Sequence, residues 1–283
     1  ENLADSTSRD IGGKGINISR ALTENGIANR AFILLGEENA ADFRAGICAK
    51  RLDFTEIPVA GRIRENITIH PEKGAETRLS FRGFECPTGI LDELYRLIDA
   101  REGYIVTFTG SLPGGITPDE AESFLLELKK RGVKLVIDSK SITPDSLRLI
   151  KPWLIKPNTE EIASYLGEND IVNDISKLTG SAAKLHAEGI ENVMISLGGD
   201  GAILSSDEGV FRALVPKVNV ISTIGAGDSS IAGFIAAQSA GRNAADSLRS
   251  AVSFGTAACL TKGTRPPGEA DIARIFARVK IIQ

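Results

Sequence analysis

Short apolar runs alternating with capped helical segments constrain this chain most. AFILL (31–35), YIVTFTG (104–110), VKLVID (133–138), WLIKP (153–157) and VMISL (193–197) are short and mostly rich in β-branched residues, so they read as buried strands. Between them, Thr117-Pro118-Asp119-Glu120 has the form of a capping box with proline at the first helical position. Ala121, Phe124, Leu125 and Leu128 then mark one apolar face, and Gly132 ends the helix. This rhythm predicts an α/β fold with a mostly parallel sheet between helix layers. Ligands of such sheets bind at the carboxyl ends of the strands. The C-terminal part reads as helices over about 228–240, 244–262 and 270–279, with Ala-Gly stretches that suit close helix packing. One region breaks the rhythm. RENITIHPEKGAETRLSF (64–81) alternates apolar and polar residues around Lys73-Gly74 and predicts an exposed hairpin, with FTEIPV (54–59) beside it, as decoration or as a lid.

Composition narrows the functional classes. At 283 residues and a net charge of −4, the chain has no electrostatic case for binding nucleic acid. No apolar run approaches the roughly 20 residues of a membrane span, and the polar opening ENLADSTSRDIGGKG is no signal peptide. That opening has no initiating methionine, as a partial chain would not. Cys48, Cys86 and Cys259 are separated and odd in number, which fits a reduced, cytoplasmic protein. Two histidines argue against a histidine-based zinc site.

Five stretches, four of them glycine-bearing, carry the chemical signals. In STIGAGDSSIAGF (222–234), Gly225 and Gly227 lead to Asp228 where a helix begins. Asp228 is either an N-cap or a carboxylate fixed beside an anion-binding helix start, placed to deprotonate whatever attacks a phosphate there. DIGGKGINISRAL (10–22) lacks both the Walker A and the dinucleotide spacing. It is a plain glycine turn into a helix, or a backbone that admits a polar ligand, with Lys14 meeting an anion and Asn17 holding hydroxyls. In IKPNTEEI (155–162), Asn158 and Glu161 lie three apart. They can cap the helix or organise the water shell of Mg²⁺. ISLGGDGAIL (195–204) reads as strand, turn and strand, with glycines that could admit a nucleotide, and TGSLPGGI (109–116) as a strand end and loop.

In this order and spacing, GGKGIN, the hairpin, TGSLP, KPNTEE, SLGGDGA and GAGD resemble the ribokinase-like (PfkB-type) sugar kinases over nearly the whole chain. GGKGIN, Arg64 with Asn66, and TGSLP are similar to the branch that phosphorylates sugar phosphates. The resemblance implies a single domain over 1–283 with a ribokinase-like three-layer core and a small β lid from about 1–10 and 54–85. It implies ATP as phosphate donor, Mg²⁺, and fructose 1-phosphate as acceptor, with tagatose 6-phosphate as the alternative. A non-catalytic sugar or nucleotide module is a reading of another class. Asp228 matches the family's base, and Gly225, Ala226 and Gly227 its anion hole. Gly12, Gly13, Lys14, Asn17, Arg64, Asn66 and Ser111 match the sugar side. Lys156, Asn158, Ser196, Gly198 and Gly263 match the nucleotide side, with Asn158 and Glu161 governing Mg²⁺ mainly through water. The resemblance also implies a homodimer through the lid, and a leading core strand ending in a sugar-binding Asp, for which 1–283 hold no counterpart.

Overall fold

The structure, a computed structural model, describes residues 7, 9–69 and 77–283. It opens with α1 (Lys14–Glu24), β1 (Ala31–Gly36), α2 (Ala40–Ala49), β2 (Phe54–Val59) and the hairpin strands β3 (Asn66–Ile69) and β4 (Thr77–Ser80). Then follow α3 (Ile90–Leu97), β5 (Ile105–Thr109), α4 (Pro118–Lys130), β6 (Lys134–Asp138), α5 (Pro144–Ile150), β7 (Leu154–Ile155), α6 (Thr159–Leu166), α7 (Ile175–Ala187) and β8 (Asn192–Ser196). The chain continues through β9 (Ala202–Ser206), β10 (Gly209–Leu214), α8 (Ala226–Ser239), α9 (Ala244–Ala258), α10 (Glu269–Phe276) and β11 (Lys280–Ile282).

Seven strands form the main sheet in the order β11-β10-β9-β8-β7-β6-β5. β5 to β8 run parallel, and β8 to β11 pair antiparallel. Both faces of the parallel part are covered, which is why Leu135, Val136, Ile137, Leu154 and Ile155 are all buried in unbroken apolar runs. α4 to α7 cover one face with Phe124, Leu125, Leu128, Leu178 and Ala182. α1, α8, α9 and α10 cover the other with Ile18, Ile231, Phe234, Leu248 and Ile275. The α/β expectation holds, as three layers.

Local signals act where the sequence placed them. Glu120 N donates to Thr117 Oγ1, and Glu120 Oε2 accepts from Thr117 N, closing the capping box that starts α4. α8 and α9 pack closely because Gly233 has no side chain. A Cβ there would lie 2.7 Å from Ser250 O and 2.8 Å from Phe254 Cγ.

Two expectations are corrected. FTEIPV does not lie beside the hairpin. It is β2, paired parallel with β1 from Ala31↔Phe54 to Gly36↔Val59. Ile57 and Val59 are buried with Cys86 and Ile90, and that burial sets the strand's partner. The hairpin β3–β4 is a two-stranded sheet of its own. Its Lys73-Gly74 turn lies outside the described residues, as do 1–6 and 8 of the expected lid. WLIKP yields only the two residues of β7, because Pro152 and Pro157 flank it and neither can donate to a ladder.

Candidate active site

The turn before α8 sets the geometry. Gly225 has φ of 79°, a left-handed conformation that glycine adopts without a Cβ penalty. It occupies the N-cap, so α8 starts at Ala226 and Asp228 falls in the first turn. Among the described residues, no backbone N–H of α8 donates to the Asp228 side chain. It is buried, at 7% exposure, and Asn17 Nδ2 donates to its Oδ2 at 2.8 Å. The capping reading of Asp228 is therefore not the one realised. Among the described residues, no partner engages the N–H groups of Gly227 and Asp228, so this helix start can receive an anion.

Opposite charges converge on that start from three elements. Lys14, in the first turn of α1, donates to Asp138 Oδ2 at 2.7 Å. Asp138 ends β6 and is 6% exposed. Its Oδ1 lies 4.0 Å from Lys156 Nζ, also buried, just past the end of β7. Lys156 Nζ in turn lies 3.2 Å from where a Cβ on Gly227 would stand. Any larger residue at 227 would push the ammonium away.

Burial pushes the Asp228 carboxyl above its ordinary range, and Asp138 adds to this, while the Asn17 hydrogen bond and Lys14 and Lys156 partly offset it. For Lys14, burial alone would lower the pKa. The hydrogen bond and charge of Asp138, with Asp228 and Glu161, outweigh it and leave the ammonium raised. The phenol of Tyr165 is pushed up to about 12 by burial and by Glu161 and Asp138.

Asn158 and Glu161 form a complete capping box at α6. Glu161 N donates to Asn158 Oδ1 at 2.7 Å, and Asn158 N to Glu161 Oε2 at 2.9 Å. Among the described residues, the second oxygen, Oε1, meets only the exposed Lys140, at 3.4 Å. Asp138, Lys140, Lys156, Glu161 and Tyr165 line one small cavity. Among the described residues no three His, Cys, Asp or Glu side chains form a metal-binding group. One or two carboxylates with a retained water shell are the donor set that suits Mg²⁺ rather than zinc.

The remaining expected residues divide. Gly12, Gly13, Lys14, Asn17, Arg64, Asn66, Ser111 and Gly263 line one open cleft that runs between β1 and β5. Arg64 Nη1 donates to Ser111 Oγ at 2.9 Å across it. Ser196 N donates to Pro157 O at 2.9 Å, joining β8 to the Asn158 turn. Among the described residues, no side-chain hydrogen bond or ion pair links Asn66 or Gly198 to the charged cluster. Asn66 is exposed on β3, and Gly198 turns between β8 and β9. Asp138 is the residue that sequence reasoning missed. Its signal was a carboxylate closing the buried strand VKLVID.

The chain belongs to the pfkB family of carbohydrate kinases, whose description matches residues 1–271. It is an enzyme that transfers phosphate to a sugar hydroxyl. Among individual proteins, it is 35% identical to the 1-phosphofructokinase of Haemophilus influenzae over 79% of this chain and 72% of that one. It is 30% identical to the 1-phosphofructokinase of Bacillus subtilis, over 89% and 82% of the two chains. Its fold matches Escherichia coli phosphofructokinase-2 in complex with fructose-6-phosphate with a TM-score of 0.87, at 23% identity and over 95% and 88% of the chains.

Proposed function

We propose that this kinase transfers the γ-phosphate of ATP to the free primary hydroxyl of fructose 1-phosphate, giving fructose 1,6-bisphosphate and ADP. The observation that carries the reading is Asp228 beside the free amides of the α8 start, ringed by Lys14, Lys156 and Asn17. The 1-phosphofructokinase relatives support the choice of sugar.

In this reading the sugar oxygen attacks the γ-phosphorus as its proton passes to Asp228, and the bond to the β-phosphate oxygen breaks in line. Phosphoryl transfer of this kind needs positioning and charge stabilisation more than covalent help. Amides of Gly225 and Gly227, joined by that of Ala226 as it leaves its 3.3 Å bond to Thr223 O, stabilise the equatorial oxygens. Lys14 and Lys156 neutralise charge from either side. The Asn17 Oδ1 is buried and has no partner among the described residues, and a small shift of the amide lets it accept from a sugar hydroxyl while Nδ2 holds Asp228. Gly12 and Gly13 leave room for the sugar, and Arg64, Asn66 and Ser111 meet its existing phosphate. Ser196, Gly198 and Gly263 border the nucleotide. Asp138 and Glu161, with Asn158 holding Glu161 in place, would hold Mg²⁺ through water, and that ion would supply charge neutralisation between the phosphates. Tagatose 6-phosphate is the second reading, because the same cations would meet its phosphate. Asp228 argues against a non-catalytic module, since a binder has no need of a buried base.

A homodimer through the lid is part of this proposal. Ile67 stands opposite Leu79 in the β3–β4 ladder, so Ile67, Ile69, Leu79 and Phe81 share one face, and all four are exposed. A second copy would cover that face.

Asp228→Asn tests the chemistry. We expect an unchanged fold and ligand binding, with kcat lowered at least about 10³-fold. Retention of more than about a tenth of wild-type kcat would remove the base.

A further inference from the structure

Among the described residues, Arg20 is the one buried arginine, at 5% exposure, and nothing in the proposed reaction uses it. It continues a row along α1. Lys14, Asn17 and Arg20 are three residues apart, and each engages a different element. Lys14 reaches β6 through Asp138, and Asn17 reaches α8 through Asp228. Arg20 Nη1 donates to Thr264 Oγ1 at 3.0 Å, in the segment after α9.

That segment backs the phosphate turn. Thr264 Cα lies 3.8 Å from where a Cβ on Gly225 would stand. Arg265 N donates to Lys262 O at 3.3 Å, closing the segment into a turn. The Asp10 carboxylate lies 3.4 Å from a Cβ position on Gly263, so the loop that opens α1 packs on the same turn. Burial and Arg265 work against the Arg20 charge, while Asp10 and Glu24 support it. Arg20's helical neighbours Ile18, Ala21 and Leu22 lie in the apolar core. A leucine or methionine would serve packing alone there without the desolvation cost of a guanidinium.

We propose that Arg20 is a positioning residue. Through Thr264 it fixes the 261–265 turn against Gly225, and so holds Gly225–Gly227 in the geometry that receives the transferring phosphate. This rests on reading that turn as the phosphate site. Arg20 itself touches neither substrate.

The test uses the full chain, with Arg20→Gln, Thr264→Val, Thr264→Ser and the Arg20→Gln/Thr264→Val double variant. In Arg20→Gln and Thr264→Val, kcat should fall about 10- to 150-fold, the range set by one hydrogen bond to a charged group, with KM for the sugar phosphate within about threefold. Thr264→Ser keeps the hydroxyl and should keep kcat. The double variant should lose no more than the worse single one. Thr264→Val leaves the buried guanidinium in place, so it reads out even where Arg20→Gln fails to fold. Hydrogen exchange over residues 222–229 should quicken in both single variants, a readout independent of turnover. Thr264→Val with wild-type kcat and wild-type exchange, or single-variant losses that simply add, would overturn the proposal. A wild-type enzyme that phosphorylates no sugar phosphate would instead overturn the reading of the site, and exchange at 222–229 would then decide the role of Arg20.

Discussion

At the scale of single residues, the site depends on a carboxylate held where burial opposes its charge. Asp228 has a raised pKa, so its protonated form is favoured on folding. The stability it contributes is present below the ordinary carboxylate range and is lost as pH rises through its folded pKa. At neutral pH the ionised carboxylate therefore works against the fold. Asp228→Asn should raise Tm at pH 7 to 8, with the gain vanishing on acidification, while the acid limb of the wild-type rate profile disappears with the base. Thermal melts across pH check this, and an Asn variant less stable than wild type at pH 7 would contradict it. Glu161 is a second case. Its Oε2 caps α6 while Oε1 stays nearly free. Glutamine can still close the capping box, so Glu161→Gln should leave α6 intact and raise the Mg²⁺ concentration for half-maximal rate. An unchanged Mg²⁺ requirement would reduce Glu161 to a helix-start residue.

At the scale of elements, α8 carries both the turn proposed to receive the phosphate and a close contact with α9 at Gly233. Gly233→Ala would drive a methyl group into Ser250 O and Phe254. Such overpacking costs roughly 1–3 kcal/mol, so the denaturation midpoint should fall, and kcat should fall with it because Asp228 moves with its helix. A midpoint within error of wild type would mean that the α8–α9 contact is looser than described. The sequence disclosed this close packing through its Ala-Gly content, and disclosed α4 through Thr117 and Glu120, because these signals are local. It did not disclose the partner of FTEIPV. Strand pairing is decided by which core the inward side chains join, and Ile57 and Val59 join one built partly by Cys86 and Ile90. Nor could it show that Gly225 takes the cap and leaves Asp228 free to meet Asn17, a contact between residues 211 positions apart. Asp138 was legible only as a strand end. Its importance comes from Lys14 and Lys156, which reach it from other elements.

At the scale of the molecule, two features bear on assembly and specificity. The apolar face of β3–β4 makes the lid the proposed interface between two copies. Leu79→Glu together with Phe81→Glu should convert a dimer to a monomer in sedimentation equilibrium. A wild-type protein that is monomeric at every concentration would contradict that interface. In the proposed reading, specificity rests on Arg64, in the segment before β3, which lines the cleft and meets the sugar's existing phosphate. The most direct measurement is kcat/KM with ATP for fructose 1-phosphate, tagatose 6-phosphate and free fructose, on wild type and Arg64→Ala. Wild type should prefer fructose 1-phosphate over fructose by at least about 10²-fold, and Arg64→Ala should raise KM for the phosphosugar by about 10- to 150-fold, the range for one lost charge-assisted contact, with KM for ATP nearly unchanged. Equal or better use of free fructose by the wild-type enzyme would contradict the account.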